Sequence, residues 1–451
     1  MNIENTETIV SPASEDIAGL EIKKAKRLQG MVSLPGDAHM TLLAVGLAAL
    51  CEEPTQLENV SEASWFQEFR TALESMGVVF DLRNGHGSVR GGALHAPAEA
   101  ITVNHDLAAL ILAGIGSGLG LDLRMHFNSE RISRDIPVLL DSILQAKGKN
   151  ISRPFDRGWN DALAKIPLIF HHLAAHQALE LQLRRPGCDL LENLLPRFGV
   201  EIRVEREDKD GDELTRRIAR QMRAAGGDEP VTKIRLPAVK NMQGASLTLP
   251  GDAGEAGFLA LAATLIKNSD VTLENVLLNV GRSGFLSALR RMGADVDADR
   301  RERQGEAVGN VRIRSGGLFG KRFDAEALET MRDEVFPLMA AAAFADGESV
   351  FRDLEFLGAE ADDRLKAFIA ALKRVGVEIG EFEDGIVIRG KPECDAGAYD
   401  SLGHPGLAAA FTALALKSHG VSTLVGSEDL EWRFPALLKR IEMLGHGEKE
   451  A

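Results

Sequence analysis

"LTLPGDAGEAGFLALAATLI", residues 247–266, ends a short apolar run on a Pro-Gly-Asp turn and continues as a helix rich in small residues. The same order of features occurs in "VSLPGDAHMT", residues 32–41, which leads into the apolar run LLAVGLAAL. The first N–H groups of a helix have no partner within the helix, so such a turn can bind an anion. Neither turn contains lysine or arginine. The sequence therefore predicts two equivalent helix starts that lack a cation of their own.

Length and composition limit the possible classes of protein. At 451 residues the chain is too long for one ordinary core, so we expect two domains. A net charge of −15 argues against a nucleic-acid partner, and no apolar run is long and charge-free enough to span a membrane. Cys51, Cys188 and Cys394 are far apart, which predicts a reducing, cytoplasmic compartment and no metal site. No cofactor is expected, and residues 1–17 read as a polar tail.

A second pattern is a helix-like segment followed by a glycine and a short strand. Its apolar residues recur at the spacing of an amphipathic helix, and the glycine stands where a left-handed C-cap belongs. The instances lie at 66–82, 136–152, 188–204, 284–298, 364–382 and 434–446, the last without its strand. Ala-rich segments such as PLMAAAAFA alternate with them. The pattern predicts a six-unit repeat in which buried Ala-rich helices are covered by amphipathic ones.

One charged segment, residues 205–235, interrupts this pattern. It is poor in apolar residues and predicts a surface insertion, with a solvated helix over 212–224. Binding of an acidic partner by its arginine-rich face is the alternative.

Longer motifs carry a resemblance to a known family. The early turn resembles a PGDKS…HR segment, and residues 247–266 resemble a VPGDxSSAAFFLxAA segment. Residues 332–379 resemble IDEYPxLAxxAA followed by ELRVKESDRLxA, residues 400–416 occupy the place of DHRxAM, and residues 430–445 that of KTSFPxF. These are motifs of the EPSP synthase family, the 3-phosphoshikimate 1-carboxyvinyltransferases, which the chain resembles from about residue 20 onward.

The resemblance implies a two-domain inside-out α/β barrel with three βαβαββ units in each domain. Residues 36–249, with the charged insertion 205–235, would form one domain, and residues 18–35 together with 250–451 the other. It also implies a small anionic substrate in the interdomain cleft, because family members close this cleft over phosphoenolpyruvate and shikimate 3-phosphate.

Most of the family's charged positions are occupied by other residue types in this sequence. The lysine of PGDK and the arginine of its HR pair correspond to Ala38 and Leu43, and the lysine-glutamate pair of VKESDR to Glu360 and Ala361. The arginine of DHR corresponds to Pro405 and the lysine of KTSFP to Trp432. The family's NAGT loop falls at residues 102–110, where TVNHDLAAL lacks its glycine.

At four places in these motifs the sequence keeps the residue type of the family. Asp333 matches the family's catalytic aspartate, with a helix N-cap as the alternative role. Arg364 matches the arginine of SDR, with a structural ion pair as the alternative. Arg131 or Arg134 matches the arginine of an RxxxRP segment, and His404, at the DHR histidine, is otherwise a loop residue.

Two hypotheses follow for function. In the first, the protein no longer transfers enolpyruvyl groups and keeps the fold as a module that binds a ligand or a protein partner. In the second, it is an active carboxyvinyltransferase in which Arg433, Arg131 or Lys240 replaces the missing cations. The substituted positions favour the first hypothesis.

Overall fold

The computed structural model describes residues 10–12, 19–127, 161–183, 187–206, 231–328, 331, 334–357 and 360–447. They group into two compact units. Unit 1 comprises Met1–Pro35, Pro250–Arg303 and Ala307–Ala451, and unit 2 comprises Gly36–Leu249 and Gln304–Glu306. The chain therefore passes from one unit to the other at each of the two Pro-Gly-Asp turns.

Unit 2 contains helices and three small sheets. Its helices are α1 (Ala38–Ala48), α2 (Ser64–Ser75), α3 (Asp106–Leu119), α4 (Asp161–Ala174) and α5 (Leu190–Leu194). Its strands are β4 (Thr55–Glu58), β5 (Val79–Arg83), β6 (His86–Arg90), β7 (Ile101–Thr102), β8 (Met125–His126), β9 (Leu179–Leu183), β10 (Arg203–Arg206), β11 (Thr232–Leu236) and β12 (Ser246–Thr248). The strand orders are β12-β4-β6-β5, β10-β11-β9 and β7-β8.

Unit 1 is built in a similar way from the remaining elements. Its helices are α6 (Ala253–Leu265), α7 (Gly284–Arg291), α8 (Ala325–Leu328), α9 (Val335–Ala342), α10 (Glu360–Arg374), α11 (Pro405–Lys417), α12 (Glu428–Arg433) and α13 (Leu437–His446). Its strands are β1 (Val10–Pro12), β2 (Leu20–Lys23), β3 (Gln29–Ser33), β13 (Asp270–Leu277), β14 (Asp295–Ala298), β15 (Arg301–Arg303), β16 (Glu306–Arg314), β17 (Arg322–Phe323), β18 (Glu348–Arg352), β19 (Glu378–Phe382), β20 (Gly385–Arg389), β21 (Ala398–Asp400) and β22 (Val421–Val425). The strand orders are β1-β2-β22-β21, β14-β16-β13-β3 with β15 on β16, and β17-β18-β20-β19.

The strands that precede the two Pro-Gly-Asp turns are exchanged between the halves of the chain. Strand β3 leads into α1 of unit 2 but pairs in parallel with β13 of unit 1. Strand β12 leads into α6 of unit 1 but pairs in parallel with β4 of unit 2. In each unit, one sheet therefore includes a strand that leads through a Pro-Gly-Asp turn into a helix of the other unit.

The aspartates of the two turns cap the helices that follow. Asp37 accepts a hydrogen bond from the Met40 N–H at 3.0 Å, and Asp252 accepts from Gly254 and Glu255 at 2.9 and 3.0 Å. Both aspartates are buried, at 0% and 3% exposure. Because a buried N–H group is costly to leave unsatisfied, each turn has a structural role that needs no ligand.

The Ala-rich helices are buried, as their composition predicts. Every residue of α6 and of α9 is buried, and in α1 all except His39 are. In unit 1, α6, α9 and α11 pack on one another, and the amphipathic α7 packs on α6 and α9. In unit 2, α3 packs on α1 and α4, and α2 contacts both α1 and α3. The predicted arrangement of buried and covering helices is confirmed for α2 and α7.

The predicted glycine C-caps are present in four of the six repeated segments. Gly77, Gly199, Gly293 and Gly376 all have positive φ and stand between a helix and a strand. The segment at 136–152 lies outside the described residues. In the last segment the prediction was wrong, because α13 continues through Gly445 to His446 and ends at Gly447, whose φ is 71°. Two glycines lie close together there, and the second one takes the left-handed conformation.

The structure also differs from the sequence prediction at the ends of the charged segment 205–235. Strands β10 and β11 pair there in antiparallel fashion, and β11 alternates buried and half-buried residues. This alternation places Ile234 and Leu236 in the core, although the charged Arg235 stands between them. The predicted helix at 212–224 lies outside the described residues. Within the predicted tail, Val10–Pro12 pairs with β2. No helix in the part of the chain described is long and apolar enough to cross a membrane.

The close packing of the first turn gives a testable expectation. A Cβ added at Gly36 would lie 1.8 Å from the backbone oxygen of Asn59 and 3.0 Å from Leu249 Cβ. Since this clash involves backbone, Gly36→Ala is expected to destabilise unit 2 by about 3 kcal/mol. Thermal unfolding followed by circular dichroism measures the loss. Gly316→Ala is the control, because a Cβ there meets nothing within 4 Å; equal midpoints for the two variants would contradict the packing described.

Candidate functional site

Three helices of unit 1 begin around one small cavity. They are α6, α9 and α11, with Asp252, Glu334 and His404 as N-cap residues. The cavity is lined mainly by apolar side chains, with one cation and one carboxylate: Gly254, Phe258, Phe285, Glu334, Pro337, Pro405, Gly406, Ala409, Arg433 and Phe434. It has room for about one water molecule.

The cation of this cavity, Arg433, is bound to the aspartate of the second Pro-Gly-Asp turn. Its Nη1 and Nη2 donate to Asp252 Oδ2 and Oδ1 at 3.2 and 3.3 Å. Each of the two side chains is only 4% exposed. The guanidinium also lies 4.3 Å from the centroid of the Phe434 ring. A two-point pair in a dry environment fixes the arginine and neutralises its charge.

A second carboxylate lies close to the same pair. A Cβ at Gly254 would stand 2.8 Å from Glu334 Oε1 and 3.0 Å from Arg433 Nη2, so both groups converge on this backbone position. Glu334 is 7% exposed. The two carboxylates and the guanidinium therefore meet at the start of α6.

Another buried ion pair lies one turn further along α6. Arg440 Nε is 2.9 Å from Glu255 Oε1, and the two side chains are 7% and 2% exposed. Burial raises the pKa of Glu255 to about 7, although the guanidinium of Arg440 acts in the opposite direction. The carboxyl group therefore holds a proton over much of the acidic range in the folded protein.

Of the predicted ligand-binding residues, His404 has a local structural role. Its Nδ1 accepts a hydrogen bond from the Leu407 N–H at 3.3 Å, and its ring meets Phe336 edge-on at 5.5 Å. Pro405 is the first residue of α11, where a missing N–H does no harm. Trp432 is half-buried and directly precedes Arg433.

The other predicted residues lie elsewhere. Ala38 and Leu43 are buried in α1 of unit 2, at 1% and 3% exposure. Arg364 is half-buried on α10 and does not line the cavity. Lys240 is exposed between β11 and β12. Glu360 and Ala361 begin α10, but their side chains lie outside the described part of the structure. Asp333, Arg131 and Arg134 lie outside it altogether.

The groups that surround Arg433 were not predicted from the sequence. Asp252 was recognised only as part of a turn, and Glu334, Glu255 and Arg440 were not singled out. Asp252 and Glu255 carry a signal, because a capping aspartate and an acidic residue open an otherwise apolar helix. Arg440 lies on an amphipathic helix, and its sequence position does not show that it points inward.

Unit 2 holds a further cluster that the sequence analysis missed. The ring centroids of His39 and His105 lie 5.1 and 3.5 Å from that of Trp65, and 5.4 Å from each other. His39 lies at the start of α1, Trp65 at the start of α2 and His105 at the start of α3. Among the described residues there is no group of three or more His, Cys, Asp or Glu side chains placed to hold a metal ion.

Comparison with known sequences gives a consistent match. The family profile described as EPSP synthase (3-phosphoshikimate 1-carboxyvinyltransferase) matches residues 22–111 and 162–436. The chain is 27% identical over 457 residues to a 3-phosphoshikimate 1-carboxyvinyltransferase of Synechococcus sp. (strain JA-3-3Ab), covering 97% of this chain and 98% of the relative. It is also 27% identical over 459 residues to one of Chelativorans sp. (strain BNC1), covering 94% and 96%.

Comparison with solved structures agrees with this match. An EPSP synthase structure from Acinetobacter baumannii superimposes with a TM-score of 0.77 at 23% identity, covering 94% of this chain and 97% of that one. A second EPSP synthase structure from the same organism gives 0.75 at 24% identity, covering 92% and 96%. The α/β fold of the enolpyruvyl transferase type expected from the sequence is thereby confirmed.

Because Arg433 and Asp252 form a buried pair, we expect the stability losses of substitutions at these two positions to be non-additive. Arg433→Met leaves the Asp252 carboxylate buried without its counter-charge, so a loss of about 3–5 kcal/mol is expected. Asp252→Asn keeps a capping oxygen but leaves a buried guanidinium without this partner, with a comparable loss. The double variant should lose less than the sum, as measured by chemical denaturation.

The control for this cycle is the exposed pair formed by Arg314 and Asp295, whose side chains are 44% and 48% exposed. Arg314→Met should change stability by at most about 1 kcal/mol. Additive losses at Arg433 and Asp252 would contradict a direct buried pair.

The raised pKa of Glu255 predicts that the stability of the protein depends on pH. Its folded pKa of about 7 lies above the ordinary value of 4.5, so the folded state binds the proton more tightly than the unfolded state does. The stability that this provides is complete below pH 4.5 and is lost as the pH rises towards about 7. Glu255→Gln lacks this titration. The unfolding midpoint of the wild type should therefore fall relative to that of Glu255→Gln across this window, and a constant difference would show that Glu255 stays ionised when folded.

Proposed function

The chain belongs to the EPSP synthase family, and we propose that it is a diverged member that keeps the fold without transferring enolpyruvyl groups. In this proposal it acts in the cytoplasm as a module that binds a small ligand or a protein partner. The single observation that carries the proposal is the state of Arg433, which lines the same cavity as the substituted position Pro405 and directly follows Trp432. Its two-point bond to Asp252 ties it into the protein interior.

The reaction of the family requires cations at positions where this chain carries other residue types. Holding two phosphates and a carboxylate calls for cations that make charge-assisted, two-point contacts. The matched positions of four such cations hold Ala38, Leu43, Pro405 and Trp432. Each lost contact is worth roughly 1.5–3 kcal/mol, so the four together remove on the order of 6–12 kcal/mol of anion stabilisation. This is comparable to a large part of an enzyme's rate enhancement.

Proton transfer is affected as well. The family's glutamate, which would donate a proton to the alkene carbon, is replaced by Ala361, whose methyl group cannot donate. Asp333, if it acts as a base, could still accept a proton from a hydroxyl group. A base has no substrate to act on if the substrate phosphates are not held.

The second candidate is an active carboxyvinyltransferase, which transfers the enolpyruvyl group to shikimate 3-phosphate or another hydroxyl acceptor. It is favoured by the position of Asp333 within a motif that otherwise runs in family order, and by the presence of Arg364. In this case Arg131, Arg134 or Arg364 would bind the substrate anions.

The two candidates differ in a direct assay. Phosphate release from phosphoenolpyruvate and shikimate 3-phosphate is measured for the full chain, beside an EPSP synthase such as that of Acinetobacter baumannii. We expect no release above background, and none after Ala38→Lys with Ala361→Glu, because Leu43, Pro405 and Trp432 remain. Robust turnover by the unmodified protein that disappears in Asp333→Asn would instead establish the active transferase.

A further inference from the structure

Three lysines of unit 1 lie at the C-terminal ends of α6 and α11. Lys417 is the last residue of α11, and Lys267 follows the end of α6 by two positions. Lys24 belongs to the segment between β2 and β3, which contacts α11 where the Ala25 N–H donates to the Leu416 carbonyl at 3.0 Å. Because each helix has 13 residues, the cluster lies about 20 Å along the helices from their starts at the cavity.

The amino group of Lys417 has a fixed place in this cluster. Its Nζ donates to the Leu265 carbonyl at the end of α6 at 2.8 Å, and the side chain is half-buried. Lysine near a helix C-terminus often caps a carbonyl in this way. An uncharged amine keeps two N–H groups, so it can make the same bond while its lone pair points elsewhere. The capping role of Lys417 therefore does not require the charged form.

The surroundings of Lys417 disfavour its ammonium form. Burial lowers the pKa of Lys417, and the charges of Lys24 and Lys267 lower it further. Glu393 and Cys394 act in the opposite direction. A lysine that is partly withdrawn from water and stands next to other cations is activated as a nucleophile, because a larger fraction of it carries a free lone pair.

The carboxylate of this cluster, Glu393, is divided between two other partners. Its Oε1 lies 3.8 Å from Lys24 Nζ, and its Oε2 lies 2.6 Å from His419 Nε2. The charges that act most strongly on Lys417 are thus two ammonium groups and one shared carboxylate. The cluster is positive, although the whole chain has a net charge of −15. A local excess of positive charge attracts small anions from solution.

From this arrangement we propose that Lys417 is a site of acylation by acyl phosphates. The ammonium groups of Lys24 and Lys267 bind the phosphate group of the donor, next to the Lys417 amine. The nitrogen lone pair forms a bond to the acyl carbon, the bond between that carbon and the phosphate oxygen breaks, and inorganic phosphate leaves with the electron pair. The proton lost by the nitrogen passes to water. Because the amide product is uncharged, the repulsion among the three ammonium groups is relieved.

The test treats the full chain with acetyl phosphate at about pH 8 and follows each lysine by peptide mass spectrometry. The internal reference is Lys366, whose side chain is 73% exposed and lies 3.7 Å from Asp363. Lys417 is expected to be acetylated roughly fivefold faster than Lys366 although it is less accessible. With acetic anhydride, which has no phosphate group, the ratio of the two rates should be smaller. An equal ratio with both reagents would overturn the role of the phosphate.

The variants are Lys24→Gln and Lys267→Gln, which each remove one of the flanking charges. Each should lower the rate of acetylation of Lys417 by acetyl phosphate roughly threefold. Lys373→Gln is the control, because it removes an exposed lysine paired with Glu381 at 2.7 Å and should leave the rate unchanged.

Two results would overturn the proposal. They are equal rates at Lys417 and Lys366 in the unmodified chain, and an unchanged rate at Lys417 in both flanking variants. Either result would leave Lys417 as a cap of α6 alone. Since the readout is modification and not turnover, an active transferase would refute the proposed function without changing the outcome expected for Lys417.

Discussion

The structure depends on satisfying the start of a helix that is buried on all sides. Every residue of α6 is buried, so its first N–H groups must find acceptors within the protein. Asp252 supplies that acceptor, and Asp37 does the same for α1. The short turn before each helix places the aspartate there. This requirement explains why both Pro-Gly-Asp turns are present although neither carries a cation.

A buried carboxylate that caps a helix requires a positive charge next to it. The charge of Asp252 is tolerated because Arg433 binds both of its oxygens, and removing either partner would leave a charge without compensation. Glu334 converges on the same backbone position as Arg433. The residues that start α6 and bind Arg433 therefore also stabilise the core of unit 1.

Local features of the fold could be predicted from the sequence, whereas the contacts of the site could not. The buried Ala-rich helices follow from composition, and the C-caps at Gly77, Gly199, Gly293 and Gly376 from a single residue type after an amphipathic run. Asp252 and Arg433 are separated by 181 positions, so no local pattern indicates that they meet. The end of α13 was misplaced because Gly445 and Gly447 present the same local signal, and the helix ends at the second of them.

Arg433 is buried in the core of unit 1, and we propose that it does not hold a substrate anion. The most direct test is calorimetric titration of phosphoenolpyruvate into the full chain with shikimate 3-phosphate present. We expect no saturable heat up to about 1 mM phosphoenolpyruvate, the upper end of ordinary substrate affinities. Saturable binding well below that concentration would contradict it, because the chain would then supply the cations that the family positions lack.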